Sequence, residues 1–151
     1  MRRLIYTSFA RERMLPESLF ELLRKARTAN SRSQISGVLF YHDGCFLQCL
    51  EGPTTSVNSL LHSIQRDGRH QSVTLLYDDP QARGRLFRQW AMGFFHMNAI
   101  EEISPPGLLS NSDTVEELFS GAASTDPAAQ LIAHFWRSNL ARADRRNLPA
   151  A

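Results

Sequence analysis

SGVLFYHDGCFLQCLEG, residues 36–52, is the stretch that decides the fold. Two runs rich in apolar and β-forming residues flank His42-Asp43-Gly44. Asp-Gly between apolar runs is one of the better hairpin signals. The spacing predicts strands at about 36–41 and 45–51. Along the second, Phe46, Gln48 and Leu50 share one face and Cys45, Leu47 and Cys49 the other. Both faces are otherwise apolar, so Gln48 is expected inside whichever face meets the rest of the chain. A buried primary amide needs partners for its oxygen and for its two N–H donors.

Working outward, RLIYTS at 3–8 alternates, with Leu4, Tyr6 and Ser8 on one side and Ile5 and Thr7 on the other, and predicts a first strand. Pro16 suits the first turn of a helix whose Leu19, Leu22, Leu23 and Ala26 recur at helical spacing through about Thr28. A second helix is expected from Thr54–Ser56, which can cap it, with Val57, Leu60, Leu61 and Ile64 as its stripe and Gly68 as its stop. SVTLLY at 72–77 reads as a fourth strand, and QWAMGFFHM, roughly 89–97, as a fifth. The order β-α-β-β-α-β is that of an α+β, ferredoxin-like sheet with both helices on one face, here with an added fifth strand.

Such a sheet leaves its other face in need of cover. Ile103-Ser104-Pro105-Pro106-Gly107 is a linker by composition. Asp113 with Glu116 resembles a capping box ahead of Val115, Leu118 and Phe119, with Gly121 as a stop. Asp126-Pro127 is an N-cap and first-turn pair for a last helix carrying Leu131, Ile132, Phe135, Trp136 and Leu140. These C-terminal helices are expected on the other face of the sheet. Residues 1–99 are then expected to form one domain, and 100–151 a helical extension rather than an independent domain.

Composition narrows the class. At 151 residues, with 42% hydrophobic and 21% charged content, the chain is an ordinary globular length and mix. A net charge of +2 does not argue for nucleic acid. Charge is uneven, with 13 Lys/Arg against 8 Asp/Glu before residue 100 and 4 against 7 after it. That excess either draws an anionic ligand or is scattered, solvated charge. MRRLIYTSFARER lacks the apolar core of a signal peptide, and no apolar run approaches a bilayer-crossing length. Cys45 and Cys49 lie four apart in a strand, read as small core residues, and form no disulfide framework. A cytoplasmic location without membrane attachment is the expectation. His42, His62, His70, His96 and His134 show no metal spacing, and no Walker, GxGxxG or GxSxG motif is present.

Several residues stand out against this background. If strands one and three are neighbours, Tyr6 and Gln48 meet under the helices, either as a satisfied core pair or as part of a ligand site. Asn30 closes the first helix, as a C-cap or as a side chain aimed at a ligand. Asp67-Gly68-Arg69-His70 ends the second helix, its basic pair serving the helix dipole or clamping an anion. Trp90 and Met92, two apart on strand five, share a face.

LIYTS at 4–8, ISGVLFYHDGCFLQCLEG at 35–52, DGRH at 67–70 and FRQWAMGF at 87–94 together resemble the BLUF family, blue-light receptors that use FAD. The landmarks run in the right order and spacing over about residues 3–97, and FLQ-x-LEG with the upstream Tyr and downstream W-x-M is highly specific. The resemblance implies a noncovalent FAD whose ring lies between the two helices, above the sheet. It implies Tyr6 as photochemical electron donor and Gln48 as the amide between it and the flavin. Asn30 would bond the ring's carbonyl side, Ser8 would sit near the ring, and Arg69 and His70 near the ribityl-phosphate part. Trp90 and Met92 would compete for the place beside Gln48 and so carry output.

One position departs from the family pattern. Some members place Arg or His where this chain has Ser63, so that flavin contact is bridged by water, lost, or taken by His62. With no effector domain in the remaining residues, the signal is expected to leave by contact with a downstream regulatory protein, in a homo-oligomer and without catalysis by this chain. The rivals are a flavin-dependent redox enzyme, which needs an open pocket at the ring edge that Gln48 and Tyr6 would fill, and a cofactor-free ferredoxin-like interaction module.

Overall fold

The alternation read at 36–52 is realised as a tight hairpin. His42 pairs with Cys45 across a two-residue turn in which Asp43 and Gly44 take φ of 46° and 81°. Positive φ at both central positions is what a type I′ turn requires, and it matches the twist of the strands it joins. The computed structural model describes residues 1–88, 91–96 and 125–146. Its elements are β1 (Arg2–Ala10), α1 (Pro16–Arg32), β2 (Ser36–His42), β3 (Cys45–Gly52), α2 (Thr54–Arg66), β4 (His70–Asp79), β5 (Gly93–His96) and α3 (Pro127–Arg146). The linker expected at 103–107 and the helix expected at 113–121 lie outside the described residues.

The strands form one sheet in the order β4-β1-β3-β2-β5, with β5 parallel to β2 and every other pair antiparallel. The ferredoxin-like expectation with an added fifth strand therefore holds. β1 and β3 are central neighbours. Gly37 is required where β2 crosses β3, because a Cβ there would stand 2.0 Å from the Cys49 carbonyl oxygen.

The period-2 pattern sorts the core into two layers. Leu4, Tyr6, Phe46 and Leu50 pack with Leu19 and Leu23 of α1 and Val57 and Leu61 of α2. On the opposite face Ile5, Val38, Phe40, Leu47 and Cys49 pack with Ala128, Ala129, Ile132 and Trp136 of α3. Trp136 and Phe135 lie 5.7 and 6.1 Å, centroid to centroid, from the Phe40 ring. The last helix thus covers its own sheet, as its apolar residues suggested; the side chain of Leu140 lies outside the described residues.

Polar bonds pin that cover. Asp126 Oδ1 accepts from the Ala128 and Ala129 amides, the expected N-cap, while its Oδ2 takes Arg3 Nη1 at 2.9 Å. Arg3 Nε also reaches Glu51 Oε2 at 3.1 Å, directly across the β1–β3 ladder.

Two expectations are corrected. α2 begins at Thr54 with Pro53 in the cap position and no side-chain cap bond, so Thr54–Ser56 lie inside the first turn. Strand five begins only at Gly93, where pairing with Val38 starts. Met92 therefore precedes the strand, because the Ala91 and Met92 carbonyls bond to α1 side chains instead. Trp90 lies outside the described residues.

Candidate functional site

Tyr6 and Gln48 stand opposite one another in the β1–β3 register, on the face under α1 and α2. The Tyr6 hydroxyl donates to Gln48 Oε1. Burial, and then the charge of Asp67, pushes the Tyr6 pKa well above its ordinary value, so the phenol stays protonated. A protonated phenol bonded to this amide oxygen donates, which leaves the amide nitrogen facing away. Gln48 Nε2 donates in turn to Met92 Sδ at 3.4 Å, a weak acceptor. Three side chains from β1, β3 and the approach to β5 thus form one buried chain.

Tyr6 and Gln48 floor a cavity of about 250 Å³ between the two helices. Leu22, Leu23 and Ala26 of α1 and Leu60 and Ile64 of α2 supply apolar walls, while Asn30, Ser63, Asp67, Arg69 and His70 supply polar groups. A mostly apolar cavity with a few convergent polar groups is the ordinary form of a cofactor site. Leu22, Lys25 and Arg69 also line an adjoining groove of about 760 Å³, whose cations Arg11, Arg13, Lys25 and Arg69 stand beside Glu12, Glu17 and Glu21.

The residues singled out in the sequence fall as follows. Asn30 is buried in the last turn of α1, lines the cavity and donates from Nδ2 to the Ala91 carbonyl at 2.9 Å. Ser8 is fully buried and bonds His70 Nδ1 at 2.8 Å, so it stands behind His70 rather than on the cavity wall. The His70 ring lies on Phe46, and burial lowers its pKa. Arg69 is turned onto Asp67, with Nη2–Oδ2 at 2.6 Å, and that bond holds the Asp67 carboxyl down at about 2. Ser63, not the exposed His62, reaches the cavity, and its hydroxyl donates to the Ser59 carbonyl.

Sequence reasoning missed three features. Lys25, Arg11 and Arg13 read as solvated charge because nothing local joins them to Arg69. Asp67 was read as part of a helix end, although its spacing of two from Arg69 was a usable signal. Arg27, whose Nε donates to the Met92 carbonyl at 2.9 Å, carried no signal, since its partner lies 65 residues away. Among the described residues, no group of His, Cys, Asp or Glu is placed to hold a metal, and no helix is long and apolar enough to cross a membrane.

An apolar cavity floored by a buried phenol–amide pair has a form suited to a flat aromatic ligand. The family model for BLUF, described as sensors of blue light using FAD, matches residues 1–93. Photoactivated adenylate cyclase subunit beta of Euglena gracilis is 33% identical over 102 residues, which are 66% of this chain and 12% of that protein. The chain spans only about a tenth of the length of such curated relatives. BlrB, a BLUF protein solved in its dark state, superposes with a TM-score of 0.63 at 26% identity over 88% of this chain and 95% of its own. Klebsiella pneumoniae BlrP1, solved with FMN and cyclic diGMP, gives 0.71 at 27% identity over 98% of this chain and 36% of its own. The chain belongs to the BLUF family, and is a flavin-binding blue-light sensor module.

Proposed function

We propose that Tyr6, Gln48 and Met92 are the light-responsive chain of this sensor, and that the flavin ring is held between α1 and α2 on the Tyr6–Gln48 floor. The observation that carries the reading is the directed bond sequence Tyr6 hydroxyl to Gln48 Oε1, then Gln48 Nε2 to Met92 Sδ, at the base of the cavity. The residues fit the cofactor: apolar walls for a ring, Asn30, Ser63 and His70 as polar groups of the cavity, and Arg69 shared with the groove. Arg69, Arg13 and Lys25 pair with Asp67, Asp43 and Glu21, so a diphosphate competes with these acids for them and draws also on Arg11. The four cations of the groove, despite its three glutamates, support FAD rather than FMN.

The bound flavin supplies absorption of blue light and an electron acceptor. Tyr6 supplies the electron, and because its phenol is neutral and buried its proton leaves with it, towards Gln48 Oε1. An amide has an acceptor at one end and donors at the other, so turning it reverses the polarity of every bond it makes. A turned Gln48 presents its oxygen to Met92 Sδ, which has no proton to give. The Gln48–Met92 bond is then lost, and the Met92 side chain is freed from the pair. Met92, with Trp90, is the output element in this reading. The change passes through β5 to the α3 side of the sheet, and from there to a second copy or a downstream regulatory protein. Residues 1–99 and 100–151 act as one sensory unit in the cytoplasm, without catalysis of their own.

Blue light should give a reversible red shift of the flavin absorption without added reductant. Tyr6→Phe keeps the packing ring but removes the hydroxyl, so it should retain flavin and lose the shift; normal cycling in this variant contradicts the mechanism. Acid-released cofactor, separated by chromatography, should run as FAD, and FMN would overturn the groove assignment.

A further inference from the structure

We infer that Arg27 is a positioning residue that clamps the main chain at Met92 against α1 and thereby sets how fast the switched state returns. The inference rests on the reading of Tyr6, Gln48 and Met92 above. β5 begins its ladder with β2 at Val38–Gly93, so the carbonyls of Ala91 and Met92 fall just outside the sheet. Both are bonded instead from α1: Asn30 Nδ2 to Ala91 O and Arg27 Nε to Met92 O, each at 2.9 Å. Arg27 and Asn30 are three apart, hence neighbours on one helix face. Asn30 lines the cavity, whereas Arg27 is not among its lining residues. Arg27 can therefore be changed without removing a wall of the cofactor site.

The half-buried guanidinium is kept on this carbonyl although burial disfavours its charge. A donor carrying full charge makes a stronger hydrogen bond than a neutral one. Met92 is thus held at two points, its carbonyl by Arg27 and its sulfur by Gln48. When Gln48 turns its oxygen towards the sulfur, only the second hold is lost. The carbonyl hold then resists displacement of the backbone and guides the thioether back. Without this bond the backbone at Met92 moves further from its dark position, so its removal slows recovery.

The test compares wild type, Arg27→Met and Arg27→Lys, each with flavin bound. Two readouts serve: recovery of the red-shifted absorption in the dark, and amide hydrogen exchange over residues 91–96 in unilluminated protein. Arg27→Met keeps length and apolar stem but has no donor. It should slow recovery roughly threefold to tenfold, the scale of losing part of one charge-assisted hydrogen bond. It should also speed exchange at 91–96 and leave the dark flavin spectrum unchanged. Arg27→Lys should recover part of both effects. A thermal midpoint lowered with recovery and exchange as in wild type would show Arg27 to be structural only and overturn the inference. A wild type with no reversible red shift would overturn the underlying photochemical reading itself.

Discussion

Arg3–Glu51 and Tyr6–Gln48 are polar pairs facing each other across the same β1–β3 ladder, three residues apart and on opposite faces of the sheet. Glu51 is fully buried and saturated: its carboxylate accepts from Arg3 Nε, the Ser36 hydroxyl and the amides of Leu86 and Phe87. Arg3 spends its remaining donors on Asp126 and the Gly84 carbonyl. Burial works against the guanidinium, yet Glu51 and Asp126 hold its pKa above the ordinary value. Gln48 has one firm bond, from Tyr6, and one weak one, to a thioether. The outer pair has a single satisfactory arrangement, whereas the proposed switch gives the inner pair a second one that differs by a turn of the amide. In the proposed mechanism the change therefore starts on the inner face. The Phe87 amide is held by Glu51, and the Ala91 and Met92 carbonyls, just before β5, by Asn30 and Arg27.

Breaking the outer pair should have the largest effect on stability. Arg3→Met strands the Glu51 charge inside the protein, which costs about 3–5 kcal/mol. Urea unfolding should show that loss, while the molecules that remain folded still give the red shift. Breaking the inner pair inverts the result. Tyr6→Phe leaves the Gln48 oxygen without its donor, a loss of about 1–2 kcal/mol by the same measurement, yet the light response should vanish altogether.

The smallest effect is expected at His70. Its folded pKa lies below the ordinary 6.5, with burial as the main cause, so the unfolded chain takes up the proton first as pH falls. The stability contribution of the neutral ring is complete above pH 6.5 and declines below it. Unfolding measured from pH 7.5 to 5 should therefore show a steeper fall for wild type than for His70→Asn. Equal slopes would mean that His70 is not held neutral by Phe46 and the Ser8 hydroxyl.

The same contrast explains what the sequence made legible. Strand alternation and the Asp-Gly turn are local, so the hairpin and the two core faces followed from spacing, whereas the meeting of Tyr6 with Gln48 depended on the order of the strands. An amide in an otherwise apolar strand announces itself without knowledge of the fold. The Arg3–Glu51–Asp126 cluster does not, because its members are each unremarkable in sequence and 48 and 123 residues separate Arg3 from its partners. The late start of β5 was hidden for the same reason: side chains of α1, over 60 residues earlier, take the carbonyls that a strand would have used. Pro53 displaced the expected α2 cap, a local feature that was passed over in favour of the Thr and Ser that follow it.

Light-minus-dark absorption of Gln48→Leu beside wild type tests the central claim most directly. Leucine fills the space of the amide but neither accepts from Tyr6 nor donates to Met92. The account predicts a reversible red shift in wild type and none in Gln48→Leu with flavin still bound; a wild-type shift in the variant would contradict it.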